Sequence, residues 1–226
     1  MHKTRDLAKL LLILLLSSSC QTELENWNKR IEKANNQELT NILDSIYHKD
    51  QYYRQQLAVT IANYGDSSSE LQNLHDIMQY TDSSNLEVIS IILDKKGWLG
   101  TNEVGPFGSA CLFLVVQHAD LEAQLRYLPM MRNAVKNSKA QSSQLALLED
   151  RVALRLGKKQ IYGSQVGRHP KTGLHYILPL ENPDSVDIRR SQMGLGKLEN
   201  YVEYYGIKWD ANEYKKQLSL MERELF

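Results

Sequence analysis

Gln117, His118 and Asp120 are the nearest thing in this sequence to an acid–base pair. An imidazole and a carboxylate so placed could move a proton, with His118 as general base or acid and Asp120 or Asp150 orienting it. Residues two apart on a continuous helix do not share a face, so the pair cooperates only if the helix ends between them. Otherwise Asp120 caps the next helix and His118 is a hydrogen-bonded core histidine. Asp150 and Arg151 stand between Leu148 and Val152, at the border of an apolar helical stripe. Arg151 and Arg189 could present planar forks to a carboxylate or phosphate. Equally, these charges could pair internally, with Arg54 and Asp50 among the partners. Alternation on a strand would turn Gln160, Tyr162 and Ser164 to one face, an amide, a phenol and a hydroxyl suited to a polar ligand such as a sugar. Gln165 joins them only if a bulge at Gly163 intervenes. The alternative is an edge strand with a solvated face.

Several chemistries are excluded. In Gly163-Ser164-Gln165-Val166-Gly167 the serine is second, which fails the nucleophile elbow Gly-x-Ser-x-Gly. Gly194-Leu195-Gly196-Lys197-Leu198 lacks the spacing of a phosphate-binding P-loop, and neither Gly-x-Gly-x-x-Gly nor His-Glu-x-x-His occurs. His169 and His175 flank a turn but have no nearby cysteine or third ligand, so neither a metal nor a cofactor is expected.

The two cysteines, Cys20 and Cys111, exclude a disulfide-stapled scaffold. Cys111 lies in an apolar stretch and reads as a small buried hydrophobe. The 226 residues are 42% apolar and 24% charged, with 27 basic and 27 acidic side chains, an ordinary globular composition. The N-terminus is more specific: Lys3, Arg5 and Lys9, an apolar run from Leu10 to Leu16, then Ser17, Ser18 and Ser19 before Cys20. This order reads as a signal peptide and resembles the lipobox of bacterial lipoproteins, in which the cysteine carries the lipid, palmitate among its chains. The family usually places Leu three residues before the cysteine, where this chain has Ser17. Cleavage before Cys20 leaves 207 residues with 24 basic and 26 acidic side chains, a net charge of about −2. That offers no electrostatic reason to bind nucleic acid.

The elements that must position these groups are mostly helical. Leu39, Ile42, Leu43 and Ile46 share a face after candidate caps Asn35 and Asn36, and a second helix is expected from about Asp50 to Tyr64, stopped by Gly65. Ser67 with Glu70 suggests a capping box ahead of Leu71, Leu74, Ile77 and Met78. Asp82 or Ser83 could cap a further helix ending at Gly97. Glycines and Pro106 predict a loop over Gly97 to Gly108, followed by an all-apolar, central helix from Ser109 to Val116. Leu121, Leu125 and Leu128 mark a helix interrupted or kinked by Pro129, and Leu145, Leu148, Val152 and Leu156 another, ended by Gly157. The pattern then changes to two short strands, Ile161 to Val166 and Leu174 to Leu180, joined by a turn. Short helices follow near Ser185 to Gln192 and Lys197 to Tyr204, with a last one capped by Asp210.

Five segments carry a resemblance to a known family: Asp50-Gln51-Tyr52-Tyr53-Arg54; Lys96-Gly97-Trp98 with Val104-Gly105; Gln117-His118-Ala119-Asp120; Asp150-Arg151-Val152 with Gln160-Ile161-Tyr162-Gly163-Ser164-Gln165; and Val186-Asp187-Ile188-Arg189-Arg190 with Gly194-Leu195. The chain resembles an uncharacterised bacterial family of secreted proteins and lipoproteins, a domain of unknown function, over roughly Asp44 to Tyr204. It departs by Leu99 in place of proline and Ser164 in place of threonine.

The expected architecture is mainly α: a signal peptide over 1–19, a lipid-anchored linker and first helix over 20–36, and a single compact helical domain over 37–226 with a small β-hairpin in its C-terminal third. The expected setting is the bacterial cell envelope, anchored to the membrane through Cys20 and facing the periplasm or cell surface. The expected function is binding of a small polar or anionic, envelope-derived ligand by Arg54, Asp150, Arg151, Gln160, Tyr162, Gln165 and Arg189. Two alternatives stay open: an envelope hydrolase with His118 and Asp120 as catalytic residues, and a structural or interaction lipoprotein without a ligand site. His118, Asp150, Arg151, Gln160, Tyr162 and Gln165 are expected to converge, because Gly157 ends one helix only a few residues before the next strand begins.

Overall fold

The computed structural model describes residues 22–169, 172–216 and 218. The expected signal peptide and Cys20 lie outside these residues. Contacts divide the chain into two compact units, one running to Val115 and the other starting at Val116.

The first unit is helical. Helix α1 covers 22–33, and α2 (Asn36–Tyr64) starts at a capping box in which Asn35 Oδ1 accepts from Glu38 N–H while Glu38 returns the bond to Asn35 N–H. Asn35 is thus the cap. No break separates Ile46 from Asp50, because nothing between them interrupts a helix, and the two expected helices are one. A short link at Gly65 leads into α3 (Ser69–Lys96), which packs along α2. Its cap is Ser68, whose Oγ accepts from Leu71 N–H, and not Ser67. Asp82 and Ser83 also cap nothing: they sit inside α3, where Ser83 Oγ donates back to the Gln79 carbonyl. The core is built from Leu39, Ile42, Leu43 and Ile46 of α2 with Val88, Ile89, Ile92 and Leu93 of α3.

The expected loop over Gly97 to Gly108 is mostly helix α4 (Thr101–His118), broken only at Val104 and Gly105. Gly105 takes φ +71°, open to glycine at little cost, and Pro106 then stands in the first turn of the renewed helix, where its missing N–H is harmless. Beyond it Cys111, Leu112, Phe113 and Val115 are all buried, as the apolar run implies. Burial, then the nearby carboxylates of Asp50 and Asp44, pushes the Cys111 thiol far up, so it is an inert core residue.

The second unit begins with the end of α4 and continues through α5 (Leu121–Lys136) and α6 (Ser142–Arg155), which pack together. Helix α5 runs on through an exposed Pro129, without the expected interruption. Leu125 is 43% exposed, and Gln124, Tyr127, Leu128 and Met131 form the buried face instead. The antiparallel hairpin is present but short: β1 (Val166–Arg168) pairs with β2 (His175–Ile177), Gly167 facing Tyr176. A 3-10 turn at Pro183–Ser185, α7 (Val186–Gln192), α8 (Leu198–Glu203) and α9 (211–216) complete the unit. Ile177, Leu180, Val186, Leu198, Val202 and Tyr214 form its small C-terminal core. Asp210 caps α9 through Asn212 and Glu213 N–H. The chain is therefore mainly α with one small hairpin, as its periodicity implies.

Candidate functional site

Residues 160–165 are not the strand that alternation suggests. They curl, and side chains satisfy their backbone almost atom by atom. Asp150, 0% exposed on the inner face of α6, takes Ile161 N–H at 2.6 Å and Tyr162 N–H at 2.9 Å on Oδ1, and Ser164 N–H at 2.9 Å on Oδ2. Gln160, equally buried, clasps both backbone groups of Gln165: Oε1 accepts its N–H and Nε2 donates to its carbonyl. The same Nε2 reaches the Leu178 carbonyl at 2.9 Å. Helix α7 supplies two guanidinium groups, Arg189 Nε to the Ile161 carbonyl and Arg190 Nη1 to the Tyr162 carbonyl, both at 2.8 Å. Tyr201 of α8 donates its hydroxyl to the Ser164 carbonyl at 2.8 Å. At the centre Gly163 takes φ +68°.

A pleated strand cannot do this. Its successive N–H groups point to opposite sides, whereas those of Ile161 and Tyr162 meet on one oxygen. The hydrogen-bonding demand of an irregular, half-buried segment explains why so many charged and amide side chains are gathered here. Burial pushes the Asp150 carboxyl above the usual carboxylate range, and its three backbone bonds pull it part of the way back. Burial also lowers Arg190, which nevertheless stays charged; its guanidinium lies 5.1 Å from the Tyr201 ring and donates to Gly196.

A protein-family model, described as a family of unknown function (DUF6624), matches residues 36–213. The chain belongs to that family. No curated protein and no solved structure matches it. The DUF6624 span runs from the start of α2 into α9 and contains the whole Asp150 cluster together with Asp50, Arg54, His118 and Asp120.

Within the DUF6624 domain the anticipated site residues fall into separate groups. Asp150, Gln160 and Arg189 are the framework just described; Arg189 also donates to Ser185 Oγ and to the Glu181 and Asn182 carbonyls. Tyr162 and Gln165 are carried by that framework and remain half-buried. The Tyr162 hydroxyl donates to Glu149 at 3.1 Å, and Glu149 in turn takes Arg132 at 2.7 Å. Burial and the Glu149 charge push the phenol up to about 12, keeping it a donor at every physiological pH. Gln165 Nε2 donates to Ser164 Oγ. Arg151, half-buried, lies one turn before Arg155 on the same face of α6, and Arg155 Nη1 holds the Ala119 carbonyl at 2.7 Å. That face of α6 is therefore turned toward the end of α4 where His118 sits. Asp120 caps α5, its Oδ1 accepting from Ala123 N–H at 2.8 Å, so the bland reading of that residue is the observed one.

Arg54 belongs to the first unit, where its Nη2 lies 2.6 Å from Asp82 and 3.3 Å from Asp50, while Gln51 donates to the other oxygen of Asp50. Arg54 and Asp50, weighed above as partners for Asp150 and Arg151, instead pair with each other, and Arg54 also with Asp82, a partner that spacing alone did not reveal. Arg190 and Tyr201 were also missed. Arg190 adjoins Arg189, but nothing in the sequence marks Tyr201 among twelve tyrosines. The two hairpin histidines have local uses: His169 Nδ1 accepts from Thr172 N–H, and the His175 ring stands edge-on to Tyr205.

Proposed function

We propose that this DUF6624 domain is a lipid-tethered protein of the bacterial cell envelope that binds a small polar or anionic ligand at the rim of the braced 160–165 segment. Arg151, Tyr162 and Gln165 make the contacts, and Asp150, Gln160 and Arg189 hold them in place. The observation that supports this reading most is the expenditure of five side chains, Asp150, Gln160, Arg189, Arg190 and Tyr201, on the backbone of one irregular six-residue segment. Burying the Asp150 carboxylate and the Arg190 guanidinium is a poor way to gain stability, and it is the arrangement that pre-organised recognition needs. The tether rests on the order of positive, apolar and serine residues before Cys20. The hydrolase alternative loses both carboxylates assigned to it, since Asp120 is used as a cap and both oxygens of Asp150 are occupied by backbone N–H groups.

Thermal unfolding in the presence of N-acetylglucosamine, a muropeptide, citrate and inorganic phosphate tests the reading, because a ligand that binds only the folded state raises the melting temperature. At least one of the four should do so, and Arg151→Ala should lose the increase while keeping its helical circular dichroism. A melting temperature that none of them moves at millimolar concentration overturns the proposal in favour of a structural lipoprotein.

A further inference from the structure

The first unit holds a second candidate, remote in sequence from the braced segment. Helix α1 roofs a hollow of about 330 Å³ over α2 and α3. Its floor is apolar, from Ile42, Ile46 and Val88, all buried. Its roof is Trp27, with the Arg30 guanidinium 5.0 Å from the centre of the indole, a cation already set against the ring. Lys49 adds a second positive charge at the rim, against the single carboxylate of Glu23. An adjoining hollow of about 270 Å³ shares Glu23, Trp27, Ser84 and Val88 and carries Glu87 but no cation, so the indole borders both and the positive charge is confined to the first. The first hollow alone stands at the lower end of the range typical of small-molecule sites.

Asn85 is what makes this more than a surface dent. It occupies the buried stripe of α3 between Thr81 and Val88, only 3% exposed, and its Nδ2 has no hydrogen-bond partner. Buried donors without acceptors are rare in native proteins, and each calls for an explanation. Here the amide sits in the wall of the hollow, so an acceptor oxygen inside would satisfy it. An apolar floor, an aromatic roof, an orphan donor and two rim cations are complementary to one kind of molecule.

From this geometry we infer that the hollow between α1, α2 and α3 binds an amphipathic acid: a carboxylate or phosphate head held by Asn85, Arg30 and Lys49, and an apolar body lying on Ile42, Ile46 and Val88 beneath Trp27. None of these residues belongs to the braced segment, so this site stands or falls independently of the function proposed above.

Isothermal titration calorimetry on the full chain provides the test, using octanoate, octyl phosphate, phenyl phosphate, octanol and inorganic phosphate. Octanoate or one of the two phosphate esters should bind one-to-one at least about tenfold more tightly than octanol or inorganic phosphate. Tighter binding of the octyl acids identifies a lipid-like ligand, and tighter binding of phenyl phosphate a compact aromatic one. Asn85→Leu and the double change Arg30→Gln, Lys49→Gln should each weaken binding by about fivefold or more, with unaltered circular dichroism and a cooperative melting transition. The inference is overturned if octanol binds as well as octanoate, if no acid binds at millimolar concentration, or if the folded variants bind like the parent.

Discussion

Asp150 is a charge buried for the sake of its neighbours. Asp150→Asn keeps an acceptor for Ile161 and Tyr162 but turns an amide NH2 onto the Ser164 N–H, which should cost about 1–3 kcal/mol in urea unfolding. Its pH dependence has a definite sign. Burial holds the folded carboxyl above its ordinary 3.8, so in the interval just above that value the folded state binds more protons than the unfolded one. Stability from this group is present at low pH and is lost as pH rises through the folded value. The margin of the parent over Asp150→Asn, which does not titrate, should therefore narrow as pH rises from 3.8, and a widening margin would refute the assignment. That Asp150 and the 160–165 segment meet was legible, because Gly157 ends α6 so close to them. That the carboxylate points inward was not, since a charge at the border of an apolar stripe looks the same whether it faces solvent or a turn.

At the scale of elements, periodicity located helices better than their ends. Ile46 to Asp50 and Met78 to Asp82 read as boundaries because polar residues interrupt the stripe, yet neither contains a breaker, and α2 and α3 run straight through. Pro106 read as loop because the preceding Gly105 absorbs the break that lets the helix restart. The 160–165 segment is the more instructive miss: alternation of residue types imitates a strand, while the structure is dictated by where its N–H groups find acceptors. Gly163 carries that curl. An added Cβ would lie 3.0 Å from Leu198 Cδ1, and φ is +68°. Gly163→Ala should consequently lose about 1–3 kcal/mol from backbone conformation and crowding together, measured as a lower urea midpoint with an unchanged slope. An unaffected midpoint would show that the segment tolerates another conformation.

At the scale of the whole molecule, no helix among the described residues is long and apolar enough to cross a membrane. The proposed membrane association is assigned to a lipid on Cys20. Cys20→Ala should leave the membrane pellet for the soluble fraction in a bacterial host, with mass spectrometry showing loss of the acyl chains; retention in the pellet would defeat the tether. The Asn85 hollow, made by three helices, leaves only one polar residue in an apolar stripe as its trace in the sequence. One contact at the far end of α1 bears on the same tether. Lys96, at the close of α3, donates its ammonium to the carbonyls of Glu32 at 3.0 Å and Ala34 at 3.4 Å, and Lys95 stands 3.7 Å from the Glu32 carboxylate. Were the chain held at Cys20 as proposed, drag from whatever it grips would enter through α1. The lysine clasp gives the force a second route, from the end of α1 directly into α3, so the peptide joint at residues 34–35 does not carry the whole load.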